Sequence, residues 1–330
     1  MSSIAAATGG RPRGGVAGLL NRLAWGTGKD RRRRIGESPI TPYLFILPHF
    51  AIFSAMVLFP FFLGIWISLH DSTALRDGPF VGLRWYQQLF DSSSFLFPRF
   101  WNSVWNTIIF VVISTPLLIG FGLALAVLLN QRLRGRNIFR AIYFVPWTLS
   151  VSVVGLTWWW MFNGNAGFVT LFMTDTLGWS PNWLATNPWA WITILIATLW
   201  WTIGFNTIIL LAGMQAISAD LYEAASIDGA NAWQQFKAIT LPSLRPILLL
   251  VITLQVIASF QLVGQPQLMT GGGPPSELGG ETAPVLLHVL GTGFGGRREL
   301  SLAAAMALVV AAIMIVVSIV NFRLFSSERS

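Results

Sequence analysis

Cysteine is absent from all 330 residues, which excludes disulfide scaffolds, thiolate metal sites and cysteine nucleophiles. Charge is nearly as scarce. Lys, Arg, Asp and Glu make up 10% of the chain, against about a quarter in a soluble domain, so a soluble globular protein is excluded as well. Histidine aside, residues 38–70, 100–131, 141–174, 176–219, 246–276 and 300–322 carry no charge. A transmembrane helix needs about 20 predominantly apolar residues, so each run has room for one. The run 176–219 opens with the polar, proline-containing SPNWLATNP and therefore holds a single span. These runs predict an all-α membrane protein of six transmembrane helices, over 43–69, 103–129, 143–162, 189–213, 243–264 and 300–322. The first apolar run starts too late and is too long for a cleavable signal, so it is expected to stay as an anchor.

Reactive constellations are missing too. GTGKD at residues 26–30 superficially resembles a phosphate loop. That loop needs a glycine five residues before the Gly-Lys pair and a Ser or Thr after it, where Leu23 and Asp30 stand. His49, His70 and His288 have no metal-ligand spacing; the first two are expected near span 1 and His288 in an external loop. No Ser/His/Asp order suggests a catalytic triad. Asp71, Asp77 and Asp91 share a loop with Arg76, Arg84 and Arg99, which fits solvated pairing better than catalysis. The spans hold no ionisable Asp, Glu, Lys or Arg except Arg245. Ion-coupled transporters carry such groups as relays, although backbone carbonyls can also bind sodium. Uphill transport by this chain therefore calls for an external energy source.

The bases that do exist are unevenly placed. Segments on the amino-terminal side of the membrane (1–42, 130–142, 214–245 and 323–330) hold sixteen Lys and Arg, and the opposite loops hold five. The positive-inside rule places both termini in the cytoplasm. The net charge of +8 thus reflects orientation and contact with anionic lipid, especially Arg31, Arg32, Arg33 and Arg34, rather than nucleic-acid binding.

One cytoplasmic stretch is not lipid-like: YEAASIDGANAWQQFKAITLPSLRP, residues 222–246. Asp220 with Glu223, and Asn231 with Gln234, are spaced as capping boxes. They predict helices over 220–228 and 231–240, turning at Gly229. Trp233, Phe236 and Ile239 recur every three residues on one face. Leu241-Pro242 is expected to stop the second helix before span 5 begins. Two roles fit this pattern, a helix lying on headgroups and a helix docking into a groove of a cytoplasmic protein. The acids Asp220, Glu223 and Asp228 favour the groove, because acidic helices bind anionic lipid poorly.

Glu223-Ala224-Ala225, Gly229, Ile239, Leu241 and Pro242 complete an EAA-x3-G-x9-I-x-L-P pattern. In this the chain resembles the permease subunits of binding-protein-dependent ABC importers. IDGA, W-x-x-F and the second proline are similar to the carbohydrate branch. PYLFILP, FVGLRWYQQLF, NTIIF, FRAIYFVP and LMTGGGP extend the resemblance over most of residues 40–325, toward the maltose-F-like or glycerol-phosphate-A-like member of a permease heterodimer. Ser301 departs from it, standing where glycine is common. The resemblance implies a type I importer permease fold (residues 43–322) between a basic tail (1–42) and a short cytoplasmic tail (323–330). It implies that loop 214–246 is the coupling helix seated on the ATPase. Gly229 would supply the bend, Glu223 and Asp228 would pair with basic groups, and Trp233 and Phe236 would anchor. It further implies a bacterial or archaeal plasma membrane and three kinds of partner: a second permease, two ATPase subunits and an extracytoplasmic solute-binding protein. The chain itself would be no enzyme and hold no cofactor, ATP and magnesium being bound by the ATPase.

For the solute path, Thr198, Thr202 and Phe205 fall on one face of span 4, with Trp201 beside them. Gln255, Ser259 and Leu262 repeat that spacing in span 5, with Gln261 nearby. Amides and hydroxyls match sugar hydroxyls and the aromatics offer stacking faces; helix packing explains the same residues equally well. Trp158, Trp159, Trp160, Trp183, Trp189 and Trp191 are expected in the interfacial aromatic belt. LMTGGGPPSELGG (268–280) is expected as a flexible external loop. An importer for amino acids, peptides or oxyanions, a stand-alone secondary transporter and a membrane-bound enzyme are the rival readings.

Overall fold

The computed structural model describes residues 41–72, 78–131, 134–179, 181–273, 283–295 and 298–326. The basic tail with residues 26–34, Arg76, Asp77 and residues 274–280 of the glycine-rich stretch lie outside the described residues. Helices dominate, with one isolated bridge between His70 and Phe80 and no strand among the described residues. The chain divides into two units, Met1–Pro60 and Phe61–Ser330.

In the first unit, α1 (Thr41–Phe53) is followed by a π-helical turn, Ser54–Leu58. Tyr43, Phe45, Phe50, Ile52 and Met56 are all exposed, the all-round apolar surface of a span that meets lipid. Phe59 N–H donates to Ser54 O, five residues back. This widened turn makes room for Pro60, whose ring would otherwise press on the carbonyl four residues before it.

Helix α2 (Phe59–Ser68) starts at the end of the first unit, and the second unit continues through α3 (Arg84–Phe90), α4 (Leu96–Asn130), α5 (Arg136–Phe144), a 3-10 turn (Val145–Thr148) and α6 (Val151–Phe162). It goes on with α7 (Phe168–Leu177), α8 (Trp189–Gln215), α9 (Ala219–Ile227), α10 (Ala232–Gln235), a π-helical turn (Phe236–Thr240) and α11 (Leu241–Phe260). Helices α12 (Gly264–Thr270), α13 (Val285–Phe294) and α14 (Leu300–Ser326) complete it. Among the described residues, five helical runs are long and apolar enough to cross a membrane: Tyr43–Ser68, Leu96–Asn130, Trp189–Gln215, Ala232–Phe260 and Leu300–Arg323. A sixth is counted if Arg136–Thr148 and Val151–Phe162, bent by 96°, form one span.

Several expectations are corrected here. The third span is not one helix. Pro146 tightens the chain into the 3-10 turn, and Ser150, in extended conformation, caps α6 by accepting from Val153 N–H; a proline and an N-cap four residues apart end one helix and start another. Helix α4 begins seven residues before the expected boundary, and its 35 residues extend about 52 Å, beyond the roughly 30 Å hydrocarbon core. Pro242 does not stop a helix. Leu241 N–H donates to Phe236 O through a second π turn, so Ala232–Phe260 runs on as in the first unit at Pro60. Nor is 265–298 simply a loop. Helix α12 packs closely on α6, where a side chain at Gly155 would meet Leu268 and one at Gly264 would meet Val151. Helix α13, which holds His288, is pinned to α4 by Val285 N–H donating to Thr107 Oγ1 at 2.8 Å.

Three apolar clusters make the core. Leu89, Phe100, Val285 and Met306 join α3, α4, α13 and α14. Phe110, Trp158, Phe162, Trp183, Ile194 and Met269 join α4, α6, α8 and α12 with the segment before α8. Ala126, Leu129, Leu210, Met214, Leu244 and Val251 join α4, α8 and α11. Trp158 and Trp183 are thus core residues rather than belt residues: the helical period aligns Trp158 with Val154 and Phe162, facing inward. Trp159 and Trp160 remain exposed. Small residues permit this packing in place of a hydrophobic drive. At Gly204 of α8, a Cβ would lie 1.9 Å from Tyr143 O.

Candidate functional site

The loop between α8 and α11 is built from local backbone chemistry. Ser218 is extended and its Oγ accepts from Asp220 N–H at 3.3 Å, making it the N-cap of α9. Asp220, expected as the cap, instead sits in the first turn, where its charge favours the helix dipole. At the other end Ala230 N–H donates to Ala225 O (2.9 Å) and Gly229 N–H to Ser226 O (3.1 Å). This double closure is a Schellman turn, and it needs Gly229 at φ +79°, a region costly for a side chain. The next helix opens with the expected capping box, Asn231 Oδ1 accepting from Gln234 N–H and Gln234 Oε1 from Asn231 N–H.

Side chains then lock the two arms. Tyr222 and Thr240 hydroxyls lie 2.9 Å apart, and Gln235 Nε2 donates to Ser226 Oγ and Ala230 O. The outer surface is left without partners. Glu223, Ala224 and Asp228 are exposed, and no ion pair holds either acid among the described residues. Ile227 is 87% exposed and Trp233 70%, the indole stacked on Phe236 at 5.5 Å. Ala225, Phe236 and Ile239 are half-buried, and Leu241-Pro242 begins α11. The result is a preorganised knob carrying two carboxylates and two large apolar side chains. Ser218, Tyr222 and Thr240 were not singled out in the sequence, because their roles depend on contacts across the turn; Ile227 lay in plain view inside IDGA.

The intramembrane candidates separate into two groups. Gln255 and Ser259 are buried and hydrogen-bonded: Asn206 Nδ2 donates to Gln255 Oε1 (3.1 Å), Gln255 Nε2 to Ser259 Oγ (3.1 Å), and Ser259 lies 3.3 Å from Ser114 Oγ. This chain of polar groups ties α8 and α11 to α4, where Gly122 allows close approach to Asn206. Thr198 and Thr202 bond back to Ile194 O and Thr198 O, and Leu262 belongs to the second core cluster. The other group is aromatic. Phe205 stacks on Trp147 at 4.6 Å, Trp201 lies 5.7 Å from Trp147, and Trp201 Nε1 donates to Leu149 O. They gather at the break between α5 and α6, with Trp147 partly open. Gln261 is exposed beyond the end of α11. Asn206, Ser114 and Trp147 escaped the sequence reading; a lone amide inside an apolar span is the signal that would have found the first.

Outside the spans, Arg84 and Asp71 pair at 3.6 Å in the exposed loop, as the sequence suggested, with the guanidinium also over the Trp85 ring. The Asp91 carboxyl is held below its ordinary range by Ser93, first through the backbone N–H and then through the hydroxyl. Ser301, the departure noted above, is buried: its Oγ accepts from Ser72 N–H (2.7 Å) and donates to Ser72 O (3.1 Å), and its own N–H donates to the same oxygen. Among the described residues no cluster of three or more His, Asp or Glu could hold a metal ion.

Residues 117–327 match the family described as "Binding-protein-dependent transport system inner membrane component". The chain is 40% identical over 247 residues to the trehalose/maltose transport system permease protein MalF of Thermococcus litoralis, covering 74% of this chain and 80% of that protein. It is 30% identical to the arabinooligosaccharides transport system permease protein AraP of Bacillus subtilis, covering 87% of this chain and 89% of that protein. To the lactose transport system permease protein LacF of Rhizobium radiobacter it is also 30% identical, covering 86% and 93%. In fold it is similar to a chain in the crystal structure of a bacterial ABC transporter involved in import of the acidic polysaccharide alginate. That match has a TM-score of 0.74 and 20% identity, and covers 88% of this chain and 96% of the other.

Proposed function

The chain belongs to the family of inner membrane components of binding-protein-dependent transport systems, and on that premise we propose that it is the membrane-spanning permease subunit of an ATP-driven importer for a sugar or related solute. The observation that carries this reading is the family match over residues 117–327, joined to relatives named for trehalose and maltose, arabinooligosaccharides and lactose transport. Members of this family are transport components, so the chain itself performs no bond chemistry in this reading. A second permease, two ATPase subunits that bind the ATP and magnesium, and an extracytoplasmic solute-binding protein complete the machine. The lysine and arginine count supports cytoplasmic termini, with loop 214–246 on the ATPase side in this reading.

Coupling follows from the shape of the knob. Glu223 and Asp228 meet basic groups on the ATPase, while Ile227, Trp233 and Phe236 fill an apolar cleft. The Schellman turn and the Tyr222–Thr240 contact make the knob stiff, so movement of the ATPase is passed to α11, which is continuous with it. ATP shifts the access equilibrium only to the extent that it favours one arrangement of the spans over the other. Along the solute path, Trp147, Trp201 and Phe205 offer ring faces to a sugar. Thr198, Thr202 and Leu262 are candidates beside them, and the amide and hydroxyl of Gln255 and Ser259 reach the solute only when their bonds to Asn206 and Ser114 open.

The test is co-purification of the full chain with the ATPase encoded beside it, comparing wild type with Glu223→Lys and Gly229→Val. Both variants are expected to lose ATPase association or ligand-stimulated hydrolysis. Unchanged assembly and hydrolysis in both, together with uptake by liposomes lacking the ATPase, would instead make the protein a transporter that works alone.

A further inference from the structure

The molecule holds a cluster of cations that the coupling and solute sites leave unused. Arg134 and Arg136 are exposed at the start of α5, and Arg140 follows one turn later, half-buried. Two guanidinium nitrogens of Arg140, Nε and Nη2, are fully buried without a hydrogen-bond partner. None of the three arginines is in an ion pair among the described residues. No acid occurs between Asp91 and Asp175, so the local chain supplies no counter-charge. A buried guanidinium bears a large desolvation penalty unless an anion meets it.

The rest of α5 is apolar on a different side. Ile138, Phe139, Ile142 and Tyr143, at i, i+1, i+4 and i+5, are all exposed, so the helix is amphipathic. Its position is set at both ends. Five residues separate it from the end of α4, a membrane span whose last turns pack on α8 through Ala126 and Leu129. Its carboxyl end touches α8 at Gly204, inside another span. The helix therefore leads from a membrane exit into the bilayer, arginines first. In a bilayer those exposed apolar side chains would meet acyl tails, and the arginines would stand at headgroup level.

We propose that Arg134, Arg136 and Arg140 form a binding site for the phosphate of an anionic phospholipid headgroup. The guanidinium fork matches phosphate oxygens in pairs, and basic groups beside spans are drawn to anionic leaflets. The leaflet is the cytoplasmic one, which rests on the orientation used for the proposed function; the site itself does not. Headgroup binding gives the half-buried Arg140 guanidinium an anionic counter-charge and holds α5 against α8, next to the aromatic cluster at Trp147.

The experiment uses the assembled transporter in detergent and measures retained lipid by native mass spectrometry after adding phosphatidylglycerol or phosphatidylcholine. Wild type is expected to retain phosphatidylglycerol over phosphatidylcholine. Arg140→Gln is expected to lower that retention about fivefold, the scale of one basic group near an anionic surface. Arg84→Gln, whose arginine pairs with Asp71, is expected to leave it unchanged. Should Arg140→Gln fail to accumulate, the double variant Arg134→Gln/Arg136→Gln at exposed positions carries the same test. Equal retention of both lipids, or unchanged retention in the variants, overturns the proposal. Displacement by inorganic phosphate as readily as by phosphatidylglycerol makes it a free-phosphate site and overturns the lipid. Loss of the second permease from Arg140→Gln with phosphatidylglycerol retention unchanged assigns Arg140 to a partner carboxylate and overturns it too. Lipid retention is read without transport, so failure here is separate from failure of the importer reading.

Discussion

Ser301 shows how much one side chain decides. Glycine at this position would leave only its backbone N–H to meet Ser72; the serine adds two hydrogen bonds between the first extramembrane loop and the start of α14. Ser301→Ala is expected to cost about 1 kcal/mol, the net worth of such bonds, seen as a lower melting temperature of the purified complex with ATPase coupling intact. A variant that melts with wild type would show that the contact contributes nothing. Gly229 is the contrasting case, because its position after a helix and before a capping box made its left-handed conformation legible from the sequence. Asp91 is a smaller instance. Its lowered carboxyl pKa means that the Ser93 turn is complete above the ordinary carboxylate range and opens as pH falls through the lowered value.

Among elements, the two π turns share a cause. Each directly precedes an Aaa-Pro step, Phe59-Pro60 and Leu241-Pro242, and each replaces a four-residue hydrogen bond by a five-residue one. At Leu241-Pro242 the proline was expected to end the helix; the widened turn lets it pass. There the extra residue also sets the rotation of the 220–240 knob about the axis of α11. Pro242→Ala restores an amide N–H, and the run is expected to relax to a regular α-helix, turning the knob by about 100°, the angle of one residue. The variant should melt no lower than wild type and yet take up solute poorly in reconstituted vesicles. Full uptake would mean that the π turn has no part in coupling. Pro146 acts differently, since Ser150 follows it with a cap that restarts the chain in a new direction.

For the molecule as a whole, the polar chain Ser114–Ser259–Gln255–Asn206 links three spans, from the middle of α4 to the last turns of α11. Lipid provides little hydrophobic drive between helices, so buried hydrogen bonds and close small residues carry more of the specificity. Gln255→Leu orphans the Asn206 amide and is expected to destabilise the protein by about 1–3 kcal/mol. The double variant Asn206→Leu/Gln255→Leu is expected to regain part of that loss. Thermal unfolding of the four members of this cycle measures the coupling. Unchanged stability of Gln255→Leu, accompanied by weakened solute affinity, would assign Gln255 to solute contact instead.

What the sequence by itself determined was whatever rests on local chemistry: apolar runs that must be helices in lipid, the glycine turn and the Asn231–Gln234 box, the loop ion pair of Arg84 and Asp71, and the motif that marks the family. Tertiary structure decided matters in which the partner is distant in sequence. Gln255 faces Asn206 rather than an open path because α8 and α11 pack there. Trp158 is core because α6 turns it toward α8 and α12. The stretch after α11 folds into α12 and α13 because α6, α4 and α14 provide surfaces for them. Periodicity fixes which residues share a face of a helix; only packing chooses what that face meets.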